Sequence, residues 1–293
     1  MTNEIRADLL IDSRCALGEG ATWCWRSGLL YWTDIEGRQL WRHDPSTNTS
    51  VSFPMPERLA CFALCTNPRY LLLGLATHLA YFDTEHAAMT AIVDVEPGLP
   101  TRLNDGRCDR QGRFVFGTKH DVDEPEPIGG FYRLNADLTL ERLPLPNCAI
   151  SNSIAFAPDG RTMYYCDSPT RRIHACDYPT FASNRVFVEL DGADGVPDGS
   201  TVDRDGYLWN AQWGASRVVR YAHDGSEAAR IAVPTRQPSC VAFGGPRLGT
   251  LYVTSAAVGL ADAARRADPH AGGVFAAQPG VYGLAEPVFG FGG

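Results

Sequence analysis

Thr162-Met-Tyr-Tyr-Cys-Asp, a short break, then Ile173-His-Ala-Cys-Asp-Tyr is the stretch that decides the fold of this chain. Each half is a short run rich in aromatic and apolar residues, and the break is polar. A strand, a turn and a second strand read this way. The same unit recurs at Leu29–Ile35 with Arg38–Asp44, Tyr70–Leu75 with Leu79–Asp83, and Arg113–Thr118 with Gly130–Leu134. It recurs again at Tyr207–Gln212 with Val218–Tyr221 and at Thr250–Ser255 with Gly273–Ala277. Helical periodicity is nearly absent. Thr33, Gly74, Gly117, Cys166, Ala211 and Thr254 are equivalent positions, about 40–50 residues apart, which is one propeller blade per step. Several copies follow a tight turn (Asp109-Arg-Gln-Gly-Arg, Pro158-Asp-Gly-Arg, Asp203-Arg-Asp-Gly-Tyr). Asp and Gly there suit a hairpin that needs positive φ. A lone blade cannot bury both its faces, so neighbours must stack into a ring. The expectation is an all-β, six-bladed β-propeller, a single domain over residues 1–293. Ile5-Arg-Ala-Asp-Leu-Leu-Ile is expected to close the ring as an N-terminal strand on the last blade. A sandwich is the alternative that six even repeats disfavour.

The chain has 293 residues, 44% hydrophobic and 20% charged, so a sizeable core is available and disorder is disfavoured. Its net charge is -8, with no Lys/Arg cluster. That argues against nucleic acid or an anionic membrane as partner, and favours a neutral substrate or a bound cation. The nine cysteines are odd in number and contain no Cys-x-x-Cys pair. They read as buried small hydrophobes in a reduced protein. The opening Met1-Thr-Asn-Glu-Ile-Arg-Ala-Asp has no apolar signal region, and no run is long enough to span a bilayer. A cytoplasmic monomer is the expectation.

Four polar stretches stand out: Glu19 in Leu17-Gly-Glu-Gly, Asn104 in Arg102-Leu-Asn-Asp-Gly, Asn152 in Ser151-Asn-Ser-Ile and Asp198 in Pro197-Asp-Gly. Taken singly, such turn-like sequences are ordinary. In a propeller, however, each precedes or begins an innermost strand, and the entries to those strands ring one mouth of the central channel. Scatter in sequence then becomes convergence in space. Two carboxylates and amide oxygens are hard ligands, suited to one divalent cation such as Ca²⁺, Mg²⁺ or Mn²⁺, with Zn²⁺ and Fe²⁺ left open. The seven histidines show no His-x-x-x-His spacing, and His43, His86 and His223 read as solvated turn residues. There is no Gly-x-Ser-x-Gly elbow, no phosphate-binding Gly-x-x-x-x-Gly-Lys loop and no Gly-x-Gly-x-x-Gly after a strand.

Over nearly its whole length the chain resembles the regucalcin (senescence marker protein) and gluconolactonase family of six-bladed propellers. Leu17-Gly-Glu-Gly-Ala-Thr-Trp, Arg102-Leu-Asn-Asp-Gly, Ser151-Asn-Ser-Ile-Ala-Phe-Ala-Pro-Asp-Gly, Tyr164-Tyr-Cys-Asp-Ser, Val196-Pro-Asp-Gly-Ser-Thr-Val-Asp, Leu208-Trp-Asn-Ala and Cys240-Val-Ala-Phe-Gly-Gly carry the resemblance, in the family's order. It implies a metal-dependent lactonase that hydrolyses a sugar (aldono) lactone, a pentono- or hexono-lactone, to the aldonic acid. It implies that Glu19, Asn152 and Asp198 hold the cation, that Asp198 is also the catalytic acid/base, and that Arg102 and Asn104 bind the sugar. A further acidic contact in some members follows a Gly-Thr-Met stretch. This chain reads Gly117-Thr-Lys-His-Asp there, with Lys119 in place of Met and Asp121 the nearest acid. Asp121 is the expected substrate contact. Lys119 either reaches a substrate hydroxyl, or the loop only reshapes the pocket; the acidic segment 121–128 is a lid or a connector. Arg102, Lys119, His120 and Asp121 predict a polar mouth. The alternatives are a non-catalytic calcium-binding propeller, and a hydrolase of other esters or lactones behind a more apolar mouth.

Overall fold

A computed structural model describes residues 5–290 apart from Ala193, so the first four residues of the opening segment lie outside it. Six sheets follow one another along the chain, each built on a four-stranded antiparallel meander; the fifth gains a fifth strand, and the sixth takes its outer strand, from the N-terminal segment. The innermost strands are Gly18–Cys24, Leu59–Leu64, Thr101–Cys108, Ser151–Phe156, Val196–Val202 and Pro238–Gly244, for blades 1 to 6 in order. The strand pairs that mark the repeats in sequence are the second and third strands of each blade, as in Thr162–Asp167 against Arg172–Asp177.

Burial falls from the centre outwards. The innermost strands of blades 2 and 4 are buried at every position, whereas the outermost Thr49–Pro54 of blade 1 is almost wholly exposed. Inner strands are covered by neighbouring blades on both faces, so they carry near-continuous apolar sequence. Between blades, Trp32, Trp209, Phe114, Phe116 and Phe131 are fully buried, each contributing on the order of 2–3 kcal/mol of hydrophobic stabilisation. All nine cysteines are buried and unpaired, as small core residues should be.

Closure departs from expectation in one detail. Asp8–Ile11 supplies the outer strand of blade 6, antiparallel to Val274–Ala277. Ile5–Arg6 instead runs parallel to the outer strand of blade 5, with Ile5 opposite Ile231. The N-terminal segment is divided at the buried Ala7 and ties two blades together. At the opposite end, residues 283–290 cross beneath the inner strands. Gly283 pairs with Asp203, Glu286 forms an ion pair with Arg107, and the fully buried Phe289 pairs with Cys65. The strap packs closely on these strand ends, leaving a void of only about 10 Å³ beside Arg107, Phe156 and Glu286. Among the described residues no helix is long and apolar enough to cross a membrane.

Candidate functional site

Every inner strand breaks register near its start. The breaks fall between Glu19 and Thr22, Leu59 and Cys61, Leu103 and Gly106, Asn152 and Ala155, Pro197 and Ser200, and Pro238 and Val241. Extra residues in a strand swing side chains off the pleat and turn them towards a new direction. In blade 1 the residue after Glu19, Gly20, takes φ 62°. In blade 4 the residue after Asn152, Ser153, takes φ 58° without glycine's freedom. That backbone costs about 1–2 kcal/mol for an L-residue. The Ser153 hydroxyl offsets part of this cost by donating to the Asp198 carbonyl at 2.6 Å and accepting from Asn210 Nδ2 at 3.1 Å.

The bulges deliver the expected residues to one place. Glu19, Arg102, Asn104, Asn152 and Asp198 line a single cavity of about 220 Å³, together with Lys119 and Ser168. A directional chain of hydrogen bonds links blades 3, 4 and 5. Arg102 Nη1 donates to Asn104 Oδ1 at 2.9 Å, and Asn104 Nδ2 donates to Asn152 Oδ1 at 3.0 Å. Asn152 Nδ2 donates to Ser168 Oγ at 2.9 Å, which donates to the Pro197 carbonyl at 2.7 Å, next to Asp198. Because guanidinium only donates, Arg102 at the head of the chain fixes which amide atom of each asparagine is oxygen.

A third carboxylate, missed in the sequence reading, does not line the cavity but stands close enough for its charge to act on Glu19 and Asp198. Asp105, taken as part of an Asn-Asp-Gly turn, sits in the bulge of the inner strand of blade 3, and its Oδ2 accepts from Ile154 N at 2.8 Å. Burial pushes Glu19 well above the usual carboxylate range, and the charge of Asp105 adds to it. Burial likewise raises Asp105. Asp198 is raised most by burial and next by Glu19 and Asp105, against the opposing pull of the Lys119 charge and then of the Gly199 amide. Carboxylates crowded together in this way repel one another, and a bound cation would relieve that repulsion. The donor set of Glu19, Asp198 and the Asn152 amide oxygen is all oxygen, so the residues fit a hard divalent ion. Asp83, Glu85 and His86 also cluster within metal-ligand reach, but they lie at a turn on the outer surface, where Asp83 is already held by Arg69 and His86.

Other expectations meet a different geometry. Asp121 is not among the residues lining the cavity. Both its oxygens take hydrogen bonds from Arg58, and Arg102 Nε stands 3.6 Å away. His120 Nδ1 accepts from Glu126 N at 3.0 Å, so the ring faces the 121–128 segment. His43 is buried on the third strand of blade 1, within 3.0 Å of Ser50 Oγ, rather than solvated, because the preceding polar run is strand and not turn. The mouth is only partly polar. Leu17, Ile35, Ile150, Val196, Trp213 and Val258 form much of the wall. They come from strand ends and inter-blade connections, which carry no periodic signal in sequence. The larger groove of about 610 Å³ between blade 5 and the helix Asp262–Ala267 is also polar, but its Asp268 is already engaged by the Thr235 hydroxyl and the Arg236 amide.

The chain is 61% identical over 288 residues to the L-arabinolactonase of Azospirillum brasilense, covering 97% of this chain and 95% of that one. It is 34% identical to a pentonolactonase of Haloferax volcanii, covering 84% of each. The crystal structure of a calcium-binding protein, regucalcin, from Agrobacterium tumefaciens superposes with a TM-score of 0.92 at 31% identity, covering 98% of both chains. Residues 17–257 match the family model described as the SMP-30/gluconolactonase/LRE-like region, and the chain belongs to that family.

Proposed function

We propose that this protein is a metal-dependent lactonase that hydrolyses a sugar lactone, a pentonolactone such as L-arabinono-lactone, to its aldonic acid. The observation that carries the reading is the meeting of Glu19, Asn152 and Asp198 with Arg102 and Asn104 in one sugar-sized cavity. The 61% identity to an L-arabinolactonase supports the choice of substrate class. Glu19, Asp198 and the Asn152 oxygen would hold one divalent cation. When bound, that ion polarises the lactone carbonyl and acidifies water. Asp198 takes the proton from the attacking water as the new C–O bond forms, then returns it to the ring oxygen as the ring C–O bond breaks. Ser153 and Asn210, by gripping the Asp198 carbonyl, hold that residue in register. Arg102 and Asn104 orient the lactone, and pre-paid orientation lowers the barrier. Asp121, bound by Arg58, braces Arg102 from behind.

A calcium-binding protein without catalysis needs no Arg102 aimed along the same wall. The apolar wall favours a second reading, hydrolysis of more hydrophobic lactones, because Trp213 and its aliphatic neighbours cover much of the mouth. A pH-indicator assay separates them. Chelator-stripped protein is given Ca²⁺, Mg²⁺, Mn²⁺, Fe²⁺ or Zn²⁺ and a panel of aldono- and acyl-lactones. Metal-restored turnover of an aldonolactone is expected. Turnover confined to acyl-lactones supports the second reading, and none at all overturns both.

A further inference from the structure

Arg102 and Lys119 are directly opposed across the first two strands of blade 3. Directly opposed residues project from the same face of a sheet, and two like charges there repel. The charges of Asp121 and Glu36 offset part of the cost, but neither carboxylate hydrogen-bonds Lys119. The nearest carboxylate outside the channel, Asp121, has both oxygens engaged by Arg58. Among the described residues the Lys119 ammonium has no hydrogen bond or ion pair, although the residue is half-buried and lines the cavity. Arg102 is better partnered, with Asp121 3.6 Å from its Nε, yet it too keeps an unused donor. It is 4% exposed, and its Nη1 is used by Leu103 O and Asn104 Oδ1, but its buried Nε has no hydrogen-bond partner. One wall of the cavity therefore offers donors and no acceptor, next to a floor of carboxylates. Side chains kept at a cost to stability, with their hydrogen-bonding capacity unused, mark a place where a ligand completes the set.

We propose that Lys119 is a specificity-determining residue whose ammonium donates to a hydroxyl oxygen of the lactone, selecting hydroxylated sugar lactones over deoxy and alkyl ones. This rests on the lactonase reading above. A site built to hydrogen-bond a hydroxyl rejects the analogue that lacks it, because the buried donor is then left unpaired, whereas an apolar wall alone discriminates weakly. Ile35, Trp213 and Val258 enclose the ligand, and Lys119 tells one lactone from another.

The test compares wild type with Lys119→Met and Lys119→Gln on one hydroxylated aldonolactone and its monodeoxy analogues, with the preferred metal present. For Lys119→Met, kcat/KM on the hydroxylated lactone is expected to fall on the order of 10- to 100-fold, the range for a hydrogen bond to a charged group, mostly through KM. On the monodeoxy lactone that lacks the contacted hydroxyl, variant and wild type should agree within about threefold, the two deletions being non-additive. Melting temperature should hold or rise, since a repelling pair is gone. Gln, which keeps a donor, should recover part of the loss. An equal loss on every lactone, or none on any, overturns the proposal while leaving lactonase activity in place. No turnover of any lactone by the wild type overturns the lactonase reading and this inference with it.

Discussion

Asp109 and Asp203, at the hairpin turns of blades 3 and 5, are fully buried, more deeply than Asp198 and far more than the half-buried Glu19 and Asp105 of the channel, yet the protein treats the two groups in opposite ways. Asp109 accepts from the amides of Gln111 and Arg113, from Arg113 Nε and from the Tyr178 hydroxyl. Asp203 accepts from the amides of Asp205 and Tyr207, from Trp209 Nε1 and from Arg220 Nε. Each turn carboxylate thus has two amides, a side-chain donor and a guanidinium. In the channel, Glu19 accepts from Gly20 N at 3.1 Å and Asp105 from Ile154 N. Burial alone does not mark a functional carboxylate. What separates the groups is how far the fold answers the charge: completely in the turns, which thereby become structural, and incompletely in the channel, which is left for a cation and a ligand.

The largest effect should come from removing one channel charge. Asp198→Asn is expected to lower kcat by 10³-fold or more, within reach of general acid–base loss, while the melting temperature holds or rises because one repelling carboxylate is gone. Activity within tenfold of wild type would place the proton chemistry elsewhere. The matched change in a turn, Asp203→Asn, should do the reverse. It breaks a buried ion pair with Arg220, costs about 3 kcal/mol of stability by denaturant titration, and leaves kcat of the folded fraction unchanged. If both variants lose stability equally, the contrast fails.

The contrast explains what sequence alone revealed. The turn carboxylates sit in Asp-x-x-Gly contexts that read directly as hairpins, and Gly112 and Gly206 take φ of 77° and 84° as those turns require. Six such units, each with paired strands, made the propeller legible. Glu19, Asn104, Asn152 and Asp198 were legible as a set because each lies at the same place in a different blade. Asp105 was not. Its neighbours Asn104 and Gly106 suggest a turn, whereas Thr101–Cys108 is one strand interrupted by a bulge, and a register break leaves no mark in composition. The apolar wall and the Arg58–Asp121 clamp join loops distant in sequence, so no local pattern announces them.

Smaller effects sharpen the comparison further. Glu19→Gln should weaken divalent-cation binding at least about tenfold, or 1.4 kcal/mol, by calorimetry; unchanged affinity would remove Glu19 from the site. The pH response follows from the sign of the shifts. A folded carboxylate with a raised pKa holds its proton more tightly than the unfolded chain does. Its stabilising contribution is complete below the ordinary range near pH 4 and is lost as pH rises through the folded value, which for Glu19 reaches about 8. Metal-stripped protein should therefore melt progressively lower across that window, and saturating cation should flatten the curve. A flat curve for the stripped protein would mean that the channel charges are already answered. Ser153→Ala, which keeps the left-handed backbone but removes the hydroxyl bonded to the Asp198 carbonyl, should cost about 1 kcal/mol and lower kcat only modestly.

The most direct measurement is a calorimetric titration of chelator-stripped wild type and of Asp198→Asn with Ca²⁺ and Mn²⁺ at two pH values. One site per chain is expected, binding more tightly at the higher pH as the channel carboxylates release protons, and lost or greatly weakened in Asp198→Asn. Binding of equal strength in the variant, or none in the wild type, would contradict the assignment of the channel carboxylates as a cation site.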